Sequence, residues 1–551
     1  MEKNIQTAEL IRNAGFEGEI LSDTTSLIHY ENDTSLLELR PEIAVKPKSV
    51  EDIKKLVSVV SSQKTVDPSL SLTARAAGTG MAGGVLNESI IVDVTNLNSV
   101  KSVTTERVVT EPGVYYRDMD TETKKLGVIM PSFPASRDLC AVGGMVGTNA
   151  SGEMTLSYGS TDSWVRRIKA VLSDGNEYEF KPLTTSELDE KKKLAGFEGD
   201  LYRKMYDLLE NNYDVIKAAK PKVSKNSTGY ALWNVWDRKT FDLTRLFTGS
   251  EGTLGIFTEI EFALTKPKEY KKLIVLFLPD LTKLTEVVGT ILSHNPESFE
   301  TYDDRVIQFT MRYLPEFVKV MKTGLIKLGL SFIPEALMVL RGGGMPKLVL
   351  LAEFTGETEE EALKNAQEAF EDLKQYKMQM EIMQTEKQAK KFWTMRHESF
   401  NIMRKHSGKN RTAPLVDDII VDTKRLPEFL PRLEKIMSAY KVVYTIQGHI
   451  GDGNFHIFPL MDLHEQGYRD MIMEITEKVF ALVFEFGGSM SAEHNDGIIR
   501  TPYLRQMYGD NVMSLFEETK NIFDPQNIFN PGKKVYGHDL QYVKDHIDKD
   551  Y

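Results

Sequence analysis

The sequence predicts an α+β protein of more than one domain, on three observations. The chain has 551 residues, too many for a single hydrophobic core, since cores stop growing beyond about 250–300 residues. Strand-like and helix-like segments alternate along it without a solenoid repeat or a low-complexity run. The composition shifts near residue 266, from glycine-rich loops to charged helices between apolar strands. The domains therefore read as 1–266 (core about 38–266), 267–490, and a C-terminal segment 491–551 that returns to the first.

The elements follow in order. In "VEDIKKLVSVVSS" the spacing puts Ile53, Leu56, Val57 and Val60 on one helical face. "LSLTARA" alternates as a strand and runs into "AGTGMAGG", and "SIIVDVTNL" is a buried strand. "VRRIKAVLSDGNEYEF" is a strand pair turning at Asp174-Gly175. Residues 186–220 are charged and helical, an insertion. "LFTGSEGTLGIFTEIEFALTKP" closes the first region. Beyond it, strands such as "KKLIVLFLP", "KLVLLAEFT" and "KVVYTIQGHI" alternate with helices such as "TGETEEEALKNAQEAFEDLKQY". The tail "FDPQNIFNPGKKV" is rich in turn formers.

Composition narrows the function classes. The chain is 41% hydrophobic and 27% charged, with a net charge of -12. It has no basic cluster of the kind that nucleic-acid binding needs. No apolar run approaches a membrane span, and the N-terminal stretch is amphipathic, without the apolar core of a signal peptide. The expected location is the cytoplasm, with peripheral docking at the inner face of a membrane left open. The single cysteine, Cys140, excludes an intrachain disulfide and a four-cysteine zinc or iron–sulfur site.

Two glycine-rich segments stand out. "RAAGTGMAGG" follows a strand, and its backbone N–H groups can form an anion nest. It lacks the Gly-Lys-Ser/Thr of a P-loop and the spacing and following helix of a Rossmann turn. Alone it reads first as a tight structural turn. The second loop, "CAVGGMVGTNASG", lets a flat or phosphorylated ligand approach the backbone. Two such loops suggest a large nucleotide cofactor held by main chain.

The motifs "PEIAVKPKSVEDIKKLV", "RAAGTGMAGG", "GGMVGTNASG" with "YGST", and "LFTGSEGTLGIFTEI" resemble the FAD-binding domain of the vanillyl-alcohol oxidase superfamily. Within it they are most similar to the FAD-linked D-2-hydroxy-acid dehydrogenases, which include D-lactate dehydrogenase, the glycolate oxidase FAD subunit and D-2-hydroxyglutarate dehydrogenase. The resemblance covers about residues 38–535. It implies a substrate (cap) domain after the FAD domain. It also implies FAD contacts at Arg75, Gly78, Thr79, Gly80, Met81, Ala82, Gly83, Pro131, Ser136, Gly144, Asn149, Ser151, Gly152, Tyr158 and Ile256. Neither histidine nor cysteine stands in the first loop, so the FAD is expected to be non-covalent. Cys140 lies near the position of a flavin-linked cysteine in related enzymes.

"GHIGDGNFHI" holds His449 and His456 around an Asp-Gly pair, a preferred hairpin turn. A two-residue turn would set His449 opposite His456, with Cβ atoms about 4.5–5.5 Å apart. Two imidazoles so placed can share a metal ion, or simply hydrogen-bond at a surface hairpin. "GGSMSAEHNDG" offers Glu493 and His494. The resemblance implies His449, His456 and Glu493 as ligands of a divalent metal, zinc first and manganese or iron as alternatives. It implies His494 as the catalytic base.

The chemistry of an α-hydroxy acid fits such a set. Its oxidation removes a hydroxyl proton and a C2 hydride, which flavin N5 accepts. A divalent ion stabilises the alkoxide, and a neutral imidazole with a pKa of about 6.5 suits the proton. Arg396 in "FWTMRHESF" matches the family's carboxylate-binding arginine. Phe458 and Val416 stand where relatives that take dicarboxylates have polar or lysine residues, which points to a small acid such as lactate or glycolate. With one cysteine, electrons are expected to leave to an electron-transfer flavoprotein or a separate iron–sulfur subunit. A homodimer is compatible with the sequence. Rival readings are an alkylglycerone-phosphate-synthase-like FAD enzyme, a zinc hydrolase with structural glycine loops, and a non-catalytic flavin-binding subunit.

Overall fold

Three main sheets carry the chain. The computed structural model describes residues 2–321, 344–406 and 410–547. The first sheet holds β1 (Glu19–Leu21), β2 (Ile43–Lys46), β3 (Leu72–Arg75) and β4 (Ile90–Asp93), in the order β1-β2-β4-β3. β2, β4 and β3 are parallel, so a crossover is required. The helix Val50–Gln63 supplies it between β2 and β3, capped by the Ser49 side chain, which accepts from Asp52 N. Its Ile53, Leu56, Val57 and Val60 share one core cluster with Ile43, Val45, Leu72, Ile90 and Val92.

The second sheet is antiparallel. It holds β5 (Val100–Val103), β6 (Arg107–Thr110), β7 (Val165–Val171) and β8 (Glu177–Phe180), with β11 (Ile256–Ala263) between β6 and β7. Gly175, at φ +80, makes the turn between β7 and β8. A small pair, β9 (Leu183–Thr184) and β10 (Thr240–Phe241), brackets the helices Thr185–Lys193, Gly196–Asn211 and Tyr213–Ala218.

The third sheet starts at β12 (Tyr270–Leu278) and adds β13 (Ser298–Asp303), β14 (Leu348–Gly356), β15 (Gln379–Met383), β16 (Asn410–Thr412), β17 (Ile419–Ile420), β18 (Val443–His449) and β19 (Asn454–Asp462). Its order is β15-β12-β14-β13-β18-β19-β16, with β17 also on β19, all antiparallel. Leu273 and Val275 of β12 pack with Val306, Phe317 and Phe392. Their neighbours Ile274, Leu276 and Leu278 face the opposite cluster with Val287, Ile291, Ala366 and Leu373. Helices therefore cover both faces, which is why "LIVLFL" is continuously apolar rather than alternating.

The tail closes back on the first sheet. Leu72 N donates to Ile528 O at 2.7 Å, and Asn530 Nδ2 donates to Gly84 O and Glu251 O at 2.9 and 2.6 Å. Among the described residues, no helix is long and apolar enough to cross a membrane.

Candidate active site

Residues 493–498 are where the third sheet meets both glycine-rich segments. The main-chain N–H groups of Glu493 and His494 donate to Asp418 Oδ2 at 2.8 and 2.7 Å. Asn495 Nδ2 donates to Thr148 O and Gly249 O, both at 3.0 Å. Ile498 N donates to Ala82 O at 2.8 Å. Gly497 sits at φ +52, and a Cβ there would lie 2.0 Å from Ala82 O. Only glycine lets the two strands of chain approach so closely.

The first glycine-rich segment leaves the end of β3 as a loop. Gly78 and Gly83 take φ of +67 and +75. Thr34 N donates to Gly80 O, and Gly83 N donates to Asp33 Oδ2. The second segment departs from the expected loop: Val142–Thr148 is a helix ending on left-handed Asn149. Gly143 serves packing, because a Cβ on it would lie 2.7 Å from Pro112. The two segments lie side by side, with Ala76 Cβ 3.7 Å from the Cβ position of Gly144. A Cβ on Gly152 would meet Phe133 O at 2.4 Å.

Buried polar atoms around these segments lack partners: Arg75 Nη1, Ser132 Oγ and Ser151 Oγ. Each unsatisfied group costs about 1–3 kcal/mol. A ligand rich in acceptors and donors, as FAD is, would satisfy them, and the glycine positions give its backbone contacts room. Pro131 is buried next to Ser132, and Ser136 O accepts from Leu139 N and Cys140 N. Met81 and Phe309 both pack against the cluster of Phe458 and Leu460. Two expected contacts have other partners. Tyr158 OH donates to Glu297 at 2.9 Å, across to the third sheet. Ile256 is buried in the core with Val171 and Val92.

The histidine hairpin has a different register from the expected one. His449 pairs with Asn454, and His456 pairs with Gln447. The loop is residues 450–453 rather than Asp-Gly alone. Gly453, at φ +75, lies against the Val421 carbonyl, where a Cβ would be 2.0 Å away. The slip is by two residues on one strand, and only an odd slip changes the face. Both histidines therefore still share a face as diagonal neighbours, their ring centroids 5.3 Å apart.

One ligand atom from each of His449, His456 and Glu493 can be chosen so that all lie within 4.8 Å of one another. His449 Nδ1 is held by Glu300 Oε1 at 2.6 Å, while its Nε2 faces Glu493 Oε1 at 3.3 Å. Asp417, fully buried, takes His456 Nδ1 at 3.0 Å on Oδ1. Its Oδ2 lies 2.9 Å from His494 Nδ1, in a contact bent away from hydrogen-bond alignment. Carboxylates behind the Nδ1 atoms leave the Nε2 atoms for a metal or a substrate.

Positive charge is favoured at this point. Burial disfavours a charged His449, but Glu300 and Glu493 outweigh it and push the imidazole up to about 9. Burial likewise opposes charge on His494, and Asp418 and Asp417 overcome it, again to about 9. The donor set, two imidazoles and a carboxylate with carboxylates behind them, suits a divalent cation.

Arg396 has its nearest partner inside the protein. Its Nε and Nη2 lie 3.0 and 2.9 Å from Glu300 Oε2, and Nη1 lies 3.4 Å from Gln447 Oε1. Glu300 thus links it to His449. Glu300, Asp417, Asp418 and Lys225 were not apparent from the sequence motifs. Asp417-Asp418 did carry a signal: two carboxylates inside the apolar run "LVDDII" must be buried with partners.

Residues 41–181 match the FAD binding domain family, and residues 267–534 match the family described as FAD linked oxidases, C-terminal domain. D-2-hydroxyglutarate dehydrogenase of Pseudomonas putida is 25% identical over 95% of this chain and 51% of its own length. The chain thus spans about half the length of several curated relatives that it matches. D-lactate dehydrogenase of Anaerostipes hadrus is 27% identical, with 90% of each chain covered. The solved structure of p-cresol methylhydroxylase with substrate bound shares the fold, with a TM-score of 0.68 at 15% identity and 98% of each chain covered. The chain thus joins a domain of the FAD binding family to a domain of the FAD linked oxidase C-terminal family.

Proposed function

We propose that the protein oxidises a small D-2-hydroxy acid to the 2-oxo acid, using non-covalent FAD and a divalent cation, zinc first. One observation carries this reading: the His449, His456 and Glu493 cluster, with His494 beside it, is tied through residues 495–498 to both glycine-rich segments. In this reading His449, His456 and Glu493 hold the cation. Bound FAD supplies the electron acceptor, and the cation supplies Lewis acidity.

The chain's own groups do the rest. His494 is placed to accept the hydroxyl proton at Nε2, its Nδ1 lying 2.9 Å from Asp417; the like charge of a bound cation would hold this imidazole neutral, against the rise to about 9 that Asp418 and Asp417 cause without it. Arg396 orients the substrate carboxylate through Nη1, its Nε side being taken by Glu300. Phe458, Leu460, Met81 and Phe309 form an apolar wall on the same strand face as His456. That wall and buried Val416 favour a short or apolar side chain over a second carboxylate. Cys140 is buried, which pushes its thiol up to about 12, so it is a poor nucleophile towards a flavin. With one cysteine, the electrons pass to a separate electron-transfer flavoprotein or iron–sulfur subunit.

The test is anaerobic bleaching of the bound flavin by a panel of D- and L-2-hydroxy acids. Rapid bleaching by D-lactate or glycolate, and slow bleaching by L-lactate and D-2-hydroxyglutarate, is expected. Faster bleaching by D-2-hydroxyglutarate would overturn the substrate assignment, and no bleaching by any acid would overturn the reaction.

A further inference from the structure

Lys225 lies outside the segments singled out in the sequence, yet its side chain reaches into the cluster and is 1% exposed. Its Nζ donates to Glu493 Oε1 and lies 3.8 Å from Asp452 Oδ2. It arrives from the first domain, in the segment after the helix Tyr213–Ala218. We propose that Lys225 is the built-in counter-ion of the cation site: it shares Glu493 with the cation and holds the affinity of the site down. This inference rests on reading His449, His456 and Glu493 as cation ligands.

Lys225 cannot easily withdraw. Ser224 Oγ donates to Asp452 O at 3.2 Å. Ser227 N donates to Ser491 O, and Asn495 N donates to Ser227 Oγ. Gly229 N donates to Asp496 Oδ2 at 2.8 Å. The chain is thus fastened after Lys225 to the segment that carries Glu493 and before it, through the Ser224 side chain, to the hairpin loop 450–453. An ammonium is a donor only and cannot ligate a metal. A cation bound through Glu493 must share that carboxylate with Lys225 and tolerate a like charge beside it in a buried site.

Two consequences follow. Without a cation, Lys225 offsets the charge of Glu493, which it shares with His449, and of Asp452, carboxylates that are 7% and 4% exposed and costly to bury without cationic partners. With a cation, Lys225 opposes it. Even at an effective dielectric constant near that of a protein surface, a unit charge a few ångströms from a dication weakens binding on the order of tenfold or more. Loading therefore becomes reversible rather than permanent.

The experiment is zinc retention by the purified full chain in a series of chelator-buffered zinc solutions, with thermal unfolding read in parallel. Lys225→Met should hold zinc at about tenfold or more lower free zinc than the wild type. Lys225→Arg, which keeps the charge, should stay near the wild type. Chelated Lys225→Met should unfold below chelated wild type, and zinc should narrow the gap. Lys225→Gln, a neutral donor, is read in the same series in case the methionine variant does not fold. A folded neutral variant that retains zinc no better than the wild type overturns the proposal. If the wild type and all Lys225 variants release zinc as readily as His449→Ala, the cation site itself is refuted, and the role of Lys225 with it.

Discussion

Asp417→Asn separates the two imidazoles that one carboxylate now serves. Asp417 is fully buried, with Oδ1 3.0 Å from His456 Nδ1 and Oδ2 2.9 Å from His494 Nδ1. Asparagine keeps the shape but exchanges one acceptor for an N–H₂ donor. The amide can satisfy only one ring. The His456 contact is the aligned hydrogen bond, and the His494 contact is bent. The amide oxygen should therefore stay with His456, leaving the amide nitrogen facing His494 Nδ1. His494 Nδ1 then has to accept from the amide, which moves the ring proton to Nε2, the atom proposed to take the substrate's proton.

The expected result is a loss of base function with the cation kept. Flavin reduction should slow by about 10²–10⁴-fold, the usual cost of removing a general base. Cation affinity should fall by less than the roughly 10–100-fold typical when a ligand loses its supporting carboxylate. Asp417→Ala strips both rings and should show both losses. Anaerobic stopped-flow reduction beside elemental analysis measures the two effects on one preparation. If Asp417→Asn reduces its flavin at the wild-type rate, or keeps that rate while losing the metal, the assignment of His494 through Asp417 is wrong.

Other predictions test neighbouring parts of the site. His449→Ala and Glu493→Gln should lose the cation but keep FAD, whereas His494→Ala should keep both and reduce slowly; the opposite metal contents would show that Glu493 and His494 have exchanged roles. Gly497→Ala drives a Cβ to 2.0 Å from Ala82 O at φ +52, so it should destabilise the fold by more than about 1 kcal/mol and release FAD on gel filtration; unchanged FAD retention would refute the close approach. Cys140, its thiol pushed up to about 12 by burial, is ionised at only about one part in ten thousand at pH 8. Its alkylation in the native protein should therefore rise about tenfold per pH unit, and acid precipitation should leave the flavin in the supernatant. A fast, pH-independent reaction or a yellow pellet would contradict this.

What the sequence shows and hides follows from distance along the chain. The stripe Ile53, Leu56, Val57 and Val60 is a local period, and the structure buries those residues on one helix face. Gly175 turns β7 into β8, as the Asp-Gly pair suggests. Glycine itself misleads in the second segment, where a run that looks like a loop is a helix, and the close approach of Pro112 is what requires Gly143. Glu300 reaches His449 across 149 positions and Lys225 reaches Glu493 across 268. No periodicity spans such intervals. Only the cost of burying Asp417 and Asp418 in an apolar run hints that partners exist.

The histidine pair was legible for a reason more general than its turn. A two-residue Asp-Gly turn and the observed loop over residues 450–453 differ in register, yet both leave His449 and His456 on one face. Strand side chains alternate with period two, so an even slip preserves the face. Any hairpin that turns between residues 449 and 456 with an even slip gives this diagonal or direct pair, and one with an odd slip gives none. Spacing alone therefore fixes a parity, not a geometry. The third member of the cluster escapes even that constraint. Glu493 enters on a different segment, positioned by Asp418, which at φ +70 turns its carboxylate onto the N–H groups of Glu493 and His494. Asp418→Ala should thus disturb Glu493 and His494 together while leaving the His449–His456 pair in place, a division no single-segment motif could express.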